Sequence, residues 1–271
     1  TEFLNNQIGV YFMPYNVGNN LSKFTNNKFT TNATFISADG GTPFAMAYLN
    51  DVKGIYFKTT SFTNNPALYS QVAGIFSASL IGIRSYHSSF YCVSAIFGST
   101  VGCDFNNFKY GVYATYYNSS KTVTISNGTF TNNFRGVYLS GAQLTPSIVS
   151  NKFNVMAFNA STASRRAYGL YLNACNAYKV EGNDFTTVGG ATTVNNIGCI
   201  VNNSGPYQNQ IYRNTFHEIW AGVQAQNTNC HIQTALPGNA PNDFGLQMKC
   251  NQFTTIKEMD MGITSGCIDY Q

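Results

Sequence analysis

Four basic side chains are the best candidates for chemistry in this sequence. Arg84 and His87 lie in the run Arg84-Ser85-Tyr86-His87, while Arg213 and His217 lie on either side of Asn214-Thr215-Phe216. A base that abstracts a proton, beside an arginine that neutralises a sugar carboxylate, would support eliminative cleavage of a polysaccharide. Glu218 follows His217 and belongs to the second candidate. Without an opposing carboxylate or a metal site neither group makes a mechanism, so a surface or loop role is favoured for all four basic residues.

Carboxylates are scarce, with eleven Asp and Glu in 271 residues. Hydrolysis of a glycosidic bond needs two of them on either side of the bond. Asp39, in Ser37-Ala38-Asp39-Gly40-Gly41, is typical of a solvent-exposed turn, and the same interpretation is favoured for Glu181 and Asp184. Calcium would need an Asp-rich cluster, and structural zinc usually takes closely spaced cysteine pairs. The sequence has neither, so we expect no metal and no cofactor.

The seven cysteines are an odd number, which leaves at least one thiol unpaired. Cys199 follows a glycine where related segments have Val or Ile, which indicates a small core residue. Cys103 lies two residues before a phenylalanine, where other segments have Asn, which indicates a buried position. Cys230, Cys250 and Cys267 are close together in sequence and could supply one disulfide.

Two short phrases recur along the chain and alternate. The first is a glycine followed by an aliphatic, an aromatic and an apolar residue, and it begins at Gly9, Gly54, Gly111, Gly136 and Gly169. Looser copies begin at Gly74, Gly198, Gly222 and Gly245. The second phrase is Asn-x-Phe, ending at Phe29, Phe153, Phe185, Phe216 and Phe253, with variants that end at Phe62, Phe90 and Phe130.

These phrases predict an all-β solenoid, a right-handed parallel β-helix of about nine or ten coils that forms one domain over residues 1–271. Val137 and Leu139 share one face of a strand and Tyr138 takes the other, while Phe130 points inward and the flanking Asn and Thr mark a turn. A sandwich or barrel could also use short strands, but recurrence of the phrases in the same order favours stacked coils. Equivalent Phe rings should then stack inside, and equivalent Asn side chains should form a ladder of amides. Neither end of the sequence resembles a cap, so we expect these residues to be part of a longer protein.

Aromatic residues at the third position of the glycine phrase should face outward on one sheet and form an external stripe. These residues are Tyr11, Tyr56, Phe76, Tyr113, Tyr138 and Tyr171. Aromatic faces with phenolic hydroxyls suit sugar rings or a protein partner. Coverage of the stripe by loops or neighbouring domains is the alternative.

The segment 123–139, Val-Thr-Ile-Ser-Asn-Gly-Thr-Phe-Thr-Asn-Asn-Phe-Arg-Gly-Val-Tyr-Leu, resembles the right-handed parallel β-helix repeat of pectate lyases and many surface proteins. The segment 245–253, Gly-Leu-Gln-Met-Lys-Cys-Asn-Gln-Phe, resembles a phrase in large cell-surface proteins of Bacteroidetes. That second resemblance implies export by the type IX secretion system, whose cargo carries a C-terminal sorting domain. No such domain is present in these 271 residues.

Few charges and an external aromatic stripe favour a non-catalytic, extracellular module of a bacterial surface protein, a stalk or adhesin. Its expected partners are surface glycans or other surface proteins, and outer-membrane secretion machinery during export. A polysaccharide lyase or glycoside hydrolase on the same scaffold is the alternative, and a phage or fibre component is the second alternative. The 15 basic residues are scattered, with Arg165-Arg166 the one adjacent pair, so we expect no nucleic acid as partner. No apolar run is long enough to cross a membrane, so we expect no membrane insertion.

Overall fold

The computed structural model describes residues 1–14, 21–32, 44–65, 80–118, 120–158, 166–190, 194–230 and 245–264, with the backbone of 267–268. Over these residues the chain is a right-handed parallel β-helix built from three long sheets. Each complete coil contributes one strand to each sheet, in the order A, B, C. All strand pairs between successive coils are parallel, as the repeated phrases predict.

The strands are numbered in chain order. Sheet A contains β1 (Glu2–Leu4), β4 (Lys28–Thr30), β7 (Ser61–Thr63), β10 (Asp104–Asn106), β13 (Thr129–Asn133), β16 (Lys152–Val155), β19 (Asp184–Thr187), β22 (Thr215–His217) and β26 (Gln252–Thr254). Sheet B contains β2 (Ile8–Phe12), β5 (Ala45–Asn50), β8 (Ile81–Tyr86), β11 (Tyr110–Thr115), β14 (Arg135–Ser140), β17 (Tyr168–Asn173), β20 (Ile197–Asn202), β23 (Ala221–Gln226) and β27 (Met259–Ile263). Sheet C contains β3 (Ser22–Thr25), β6 (Ile55–Lys58), β9 (Phe90–Val93), β12 (Val123–Ser126), β15 (Ser147–Val149), β18 (Lys179–Glu181), β21 (Gln208–Tyr212) and β25 (Gly245–Lys249). A short pair, β24 (Thr228–Asn229) and β28 (Cys267–Ile268), and a 3-10 turn at Val188–Gly190 complete the elements.

The nine strands of sheets A and B correspond to nine coils, which confirms the predicted number. Except at Phe90, the phenylalanine of the second phrase is the second residue of a sheet A strand and points inward, as predicted for Phe130. Nine such rings stack along the axis, with centroids 4.4–5.0 Å apart in successive pairs. This spacing matches the separation of about 4.8 Å between hydrogen-bonded strands. The nine rings are Phe3, Phe29, Phe62, Phe105, Phe130, Phe153, Phe185, Phe216 and Phe253.

The glycine of the first phrase is explained by these rings. A Cβ placed on Gly111 would lie 2.9 Å from Cδ1 of Phe130, in the next coil, and 2.7 Å from the carbonyl oxygen of Gly136. Six other glycines on sheet B lie in the same way against a ladder ring, namely Gly9, Gly82, Gly136, Gly169, Gly198 and Gly222. The two phrases alternate because each glycine makes room for the phenylalanine that follows it along the chain.

The predicted amide ladder is present in the second half of the solenoid. Asn151, Asn183, Asn214 and Asn251 each precede a ladder phenylalanine by two residues. The Nδ2 of Asn151 donates to the Oδ1 of Asn183 at 2.9 Å, and Asn183 and Asn214 each repeat this contact with the next member. In the preceding coils Gly128 and Cys103 hold the equivalent positions, and Cys103 is fully buried, as predicted.

Candidate functional site

Sheet B carries a continuous row of outward-facing side chains, one from each of the first eight coils. We call it the tyrosine row: Tyr11, Tyr48, Arg84, Tyr113, Tyr138, Tyr171, Ile200 and Gln224. The rings of Tyr113 and Tyr138 stack with centroids 5.0 Å apart and planes 9° apart. Those of Tyr138 and Tyr171 lie 5.3 Å apart at 39°. Four of the six aromatic residues predicted for an external stripe therefore lie in one register row.

Tyr56 does not belong to this row, and its predicted placement is wrong. The segment starting at Gly54 has the letters of the glycine phrase, but Gly54 is in a left-handed conformation (φ 75°) and leads into sheet C. There Tyr56 stacks on Tyr91, with ring centroids 4.3 Å apart. Tyr48 takes the place in the row, and its strand has Met46 where the phrase has glycine, so the phrase did not reveal it. Phe76 lies outside the described residues.

Two further rows flank the tyrosine row in the middle coils. On one side are the paired residues Tyr110, Arg135, Tyr168, Ile197 and Ala221, and on the other Thr115, Ser140, Asn173, Asn202 and Gln226. Several of these residues pack into an apolar cluster on the outside of sheet B, separate from the core, in which Tyr168 is 4% exposed. The sheet B surface is thus structured well beyond the stripe that the sequence indicated.

Between these rows lies a groove with a volume of about 550 Å³, which we call the sheet B groove. Ten residues line it: Arg135, Tyr138, Arg166, Tyr168, Tyr171, Asn173, Ile200, Asn202, Gln224 and Gln226. They comprise three tyrosines, two arginines, four amides and one aliphatic residue, and none of them is acidic. Such a combination of aromatic surface with a few fixed polar groups is typical of a ligand site.

The amides at one side of the groove form a hydrogen-bonded chain. Asn202 donates its Nδ2 to Oδ1 of Asn173 at 2.8 Å, and Asn173 donates to Oγ of Ser140 at 3.0 Å. The hydroxyl of Tyr171 donates to Oε1 of Gln226 at 3.1 Å. These contacts hold the polar groups in fixed positions before any ligand arrives, which reduces the entropic cost of binding.

Both groove arginines are held by aromatic rings. The guanidinium carbon of Arg135 lies 5.0 Å from the ring centre of Tyr110 and 5.3 Å from that of Tyr168, and Nη1 donates to the Tyr110 hydroxyl. The guanidinium carbon of Arg166 lies 4.0 Å from the ring centre of Trp220. Stacking of this kind fixes the guanidinium plane. In the sequence Arg165-Arg166 is only an adjacent pair among scattered charges, and no motif marks Arg135.

The tyrosines of the groove stay protonated at physiological pH. Burial raises the pKa of Tyr168 well above its ordinary value, although the charge of Arg135 acts in the opposite direction. Burial is also the main reason why the pKa values of Tyr138 and Tyr171 are raised. Neutral phenols act as hydrogen-bond donors and acceptors, and they leave the positive charge of the two arginines uncompensated.

Comparison of the chain with protein-family models, with curated proteins and with solved structures finds no match.

The four basic residues first considered for catalysis do not line the groove and do not form one site. Arg84 lies in the tyrosine row, 4.8 Å from the ring centre of Phe44. His87 follows β8 in a turn and is 2% exposed, with its ring 3.6 Å from that of Tyr117. Burial is the main reason why the pKa of His87 is lowered.

Arg213 lies four coils and His217 five coils further along the solenoid. Arg213 stacks on Tyr212 in the turn between sheets C and A, with 4.8 Å from its guanidinium carbon to the ring centre. His217 is on sheet A, where its Nε2 lies 2.9 Å from Oδ1 of Asp184. A lyase or glycosidase that used all four residues would need them on one face, and the structure separates them.

The carboxylates and cysteines singled out in the sequence lie in separate, different environments. Glu181 and Asp184 lie on different sheets, and Glu181 pairs with Lys179 rather than with Asp184. Cys199 is fully buried in the core, as predicted. Cys230 is disulfide-bonded, whereas Cys250 is an exposed free thiol. The side chain of Cys267 and the whole of Asp39 lie outside the described residues.

Two features are absent from the described part of the chain. No group of three or more His, Cys, Asp or Glu there is arranged to hold a metal ion. No helix among the same residues has the length and apolar character needed to cross a membrane.

Proposed function

We propose that this β-helix is a non-catalytic, glycan-binding module of an extracellular bacterial surface protein. The observation that carries the proposal is the sheet B groove, in which tyrosines with neighbouring rings lie beside a chain of amides. Aromatic rings pack against the C–H faces of sugar rings, and amides exchange hydrogen bonds with sugar hydroxyls. One groove therefore offers both kinds of contact that a sugar chain requires.

The repeat of the solenoid suits a polymeric ligand. The row residues of successive coils are one strand spacing, about 4.8 Å, apart. A polymeric ligand that runs along the helix axis would therefore contact comparable side chains in each coil. Three tyrosines of the row, Tyr113, Tyr138 and Tyr171, follow one another in this way. A glycan with several sugar units is a better match for this surface than a single small molecule.

The extracellular location is supported by the disulfide of Cys230, because disulfides persist in oxidising compartments. Export by the type IX secretion system rests on the resemblance of segment 245–253 to surface proteins of Bacteroidetes. Outer-membrane export machinery would then be a transient partner. Cleavage of the parent protein by trypsin added to intact cells tests the location, and persistence of that cleavage in cells without type IX machinery would exclude this route.

Tyr171→Ala should weaken polysaccharide binding at least about tenfold, since truncation of a central aromatic anchor commonly costs more than about 1.4 kcal/mol. Tyr171 is partly exposed and packs against the cluster outside sheet B rather than in the core, so the variant should fold. Affinity electrophoresis measures the effect, in gels that contain xylan, mixed-linkage β-glucan, alginate or polygalacturonate.

Tyr91→Ala is the matched control, because Tyr91 stacks on Tyr56 on sheet C, away from the groove. It should bind every polysaccharide as the unchanged protein does. If none of the four polysaccharides retards the protein, or if Tyr171→Ala and Tyr91→Ala migrate alike, the groove is not a glycan site.

A further inference from the structure

We propose that the sheet B groove selects an anionic glycan, one whose sugars carry carboxylate or sulfate groups. This inference rests on the proposed glycan-binding function and narrows it to a ligand class. Two arginines line the groove among ten residues of which none is acidic. The groove thus presents concentrated positive charge on a chain whose overall net charge is only +4.

The sequence around the groove is free of acidic residues over a long distance. Residues 105–180 contain seven Lys and Arg and no Asp or Glu. They supply five strands of sheets A and B, namely β11, β13, β14, β16 and β17, and residues of β14 and β17 line the groove. Within this stretch no carboxylate is available to neutralise the groove arginines.

The arginines themselves are paired with aromatic rings and not with acids. None of the ion pairs found among the described residues involves Arg135 or Arg166. The Nε of each is buried, and neither has a hydrogen-bond partner in the described part of the chain. A buried donor without a partner destabilises the free protein, and a charged donor does so more strongly. An arrangement that leaves two such cations uncompensated favours a ligand that brings negative charge.

The shape of the guanidinium fits this ligand class. Its planar set of N–H donors matches the two oxygens of a carboxylate or the oxygens of a sulfate ester, and stacking on Trp220 or on Tyr110 and Tyr168 holds that plane in place. A neutral sugar could contact the tyrosines and amides but would leave the arginines without an anionic partner. An acidic sugar engages all three kinds of side chain.

Nucleic acid is the other polyanion that arginine and tyrosine could contact, and the groove fits it less well. Binding to a phosphate backbone draws on many phosphate contacts, whereas this groove offers two arginines and four amides. The amides suit the dense hydroxyl groups of sugars. A thymidine octanucleotide belongs in the test as the alternative polyanion.

The test compares hexagalacturonate with its fully methyl-esterified form, which has the same sugar chain without charge. A sulfated oligosaccharide of similar length and the thymidine octanucleotide are the other two probes. Isothermal titration should give at least about tenfold tighter binding of hexagalacturonate, or of the sulfated oligosaccharide, than of the ester. Raised salt should weaken binding of the acidic sugar and leave binding of the ester unchanged.

Arg166→Gln should reduce the preference for acidic sugar over ester, measured as the ratio of their affinities, at least about fivefold. Arg213→Gln removes a stacked arginine from another part of the solenoid and should keep the preference. Trp220 is the single tryptophan of the chain and stacks on Arg166, so acidic sugar should change its fluorescence, and Arg166→Gln should abolish that change.

The outcomes separate the two proposals. Equal binding of acid and ester would overturn the anionic preference but leave the glycan-binding function standing. Binding of the octanucleotide in preference to every sugar would overturn both, as would absence of binding to all the sugars. A preference that survives Arg166→Gln as fully as Arg213→Gln would show that charge elsewhere on the chain is responsible.

Discussion

Asn183→Ala should lower the free energy of unfolding by about 2–6 kcal/mol, because at least two buried polar groups lose a partner at roughly 1–3 kcal/mol each. The Oδ1 of Asn183 accepts hydrogen bonds from the backbone N and from Nδ2 of Asn151, both at 2.9 Å. Its Nδ2 donates to the carbonyl of Ile148 and to Oδ1 of Asn214, both also at 2.9 Å. Asn151 and Asn214 are themselves buried, so water cannot replace these contacts.

Asn27→Ala is the matched control for Asn183→Ala. Asn27 also lies two residues before a ladder phenylalanine, but its Nδ2 makes a local, exposed contact of 3.3 Å with the carbonyl of Thr25. We expect a loss below about 1 kcal/mol there, within the usual effect of a partly exposed side chain. Urea unfolding followed by circular dichroism measures both variants. Equal losses would mean that the buried amide ladder adds nothing beyond a single local hydrogen bond.

The sequence predicted the coils because two of the three strands in each coil carry strong local constraints. On sheet A, stacking requires a phenylalanine at one position, and on sheet B the neighbouring ring requires a glycine in most coils. Sheet C has no such constraint, since its inward positions accept Phe57, Cys92, Ile125 or Ile148 alike. The third strand was therefore not predicted, and Phe90, assigned to the second phrase, begins a sheet C strand.

The candidate site was predicted only in part, for a related reason. Tyr113, Tyr138 and Tyr171 each occupy the third position of the glycine phrase, so their common row could be deduced from spacing. Arg166 lies before β17, and its contact with Trp220 joins residues 54 positions apart, a pairing that depends on loop lengths. Arg135 precedes a phrase glycine in a position that coil by coil holds Tyr, Arg or Ile, so no recurrent letter marked it.

The phenylalanine ladder should be the most sensitive part of the core. Phe130 is buried between Phe105 and Phe153, whose ring centroids lie 4.7 and 4.8 Å away. Phe130→Ala should reduce the free energy of unfolding by about 3–5 kcal/mol, the usual cost of removing a buried aromatic ring. Gly111→Ala should cost about 1–3 kcal/mol, because the new methyl group would overlap that same ring and a backbone carbonyl. Urea unfolding of each variant measures both losses.

If glycine is needed on sheet B because of the ring, the two substitutions must be coupled. In the double variant Gly111→Ala/Phe130→Ala the methyl group meets a cavity instead of the ring, so the combined loss should be smaller than the sum of the single losses by at least about 0.5 kcal/mol. Part of the penalty persists, since the carbonyl of Gly136 stays 2.7 Å from the new Cβ. Gly198→Ala provides the control cycle, because its methyl group would meet Phe216, three coils away from Phe130. The effects of Gly198→Ala and Phe130→Ala on the free energy of unfolding should be additive. Equal coupling in both cycles would mean that strand geometry, and not the phenylalanine ring, requires glycine at these positions.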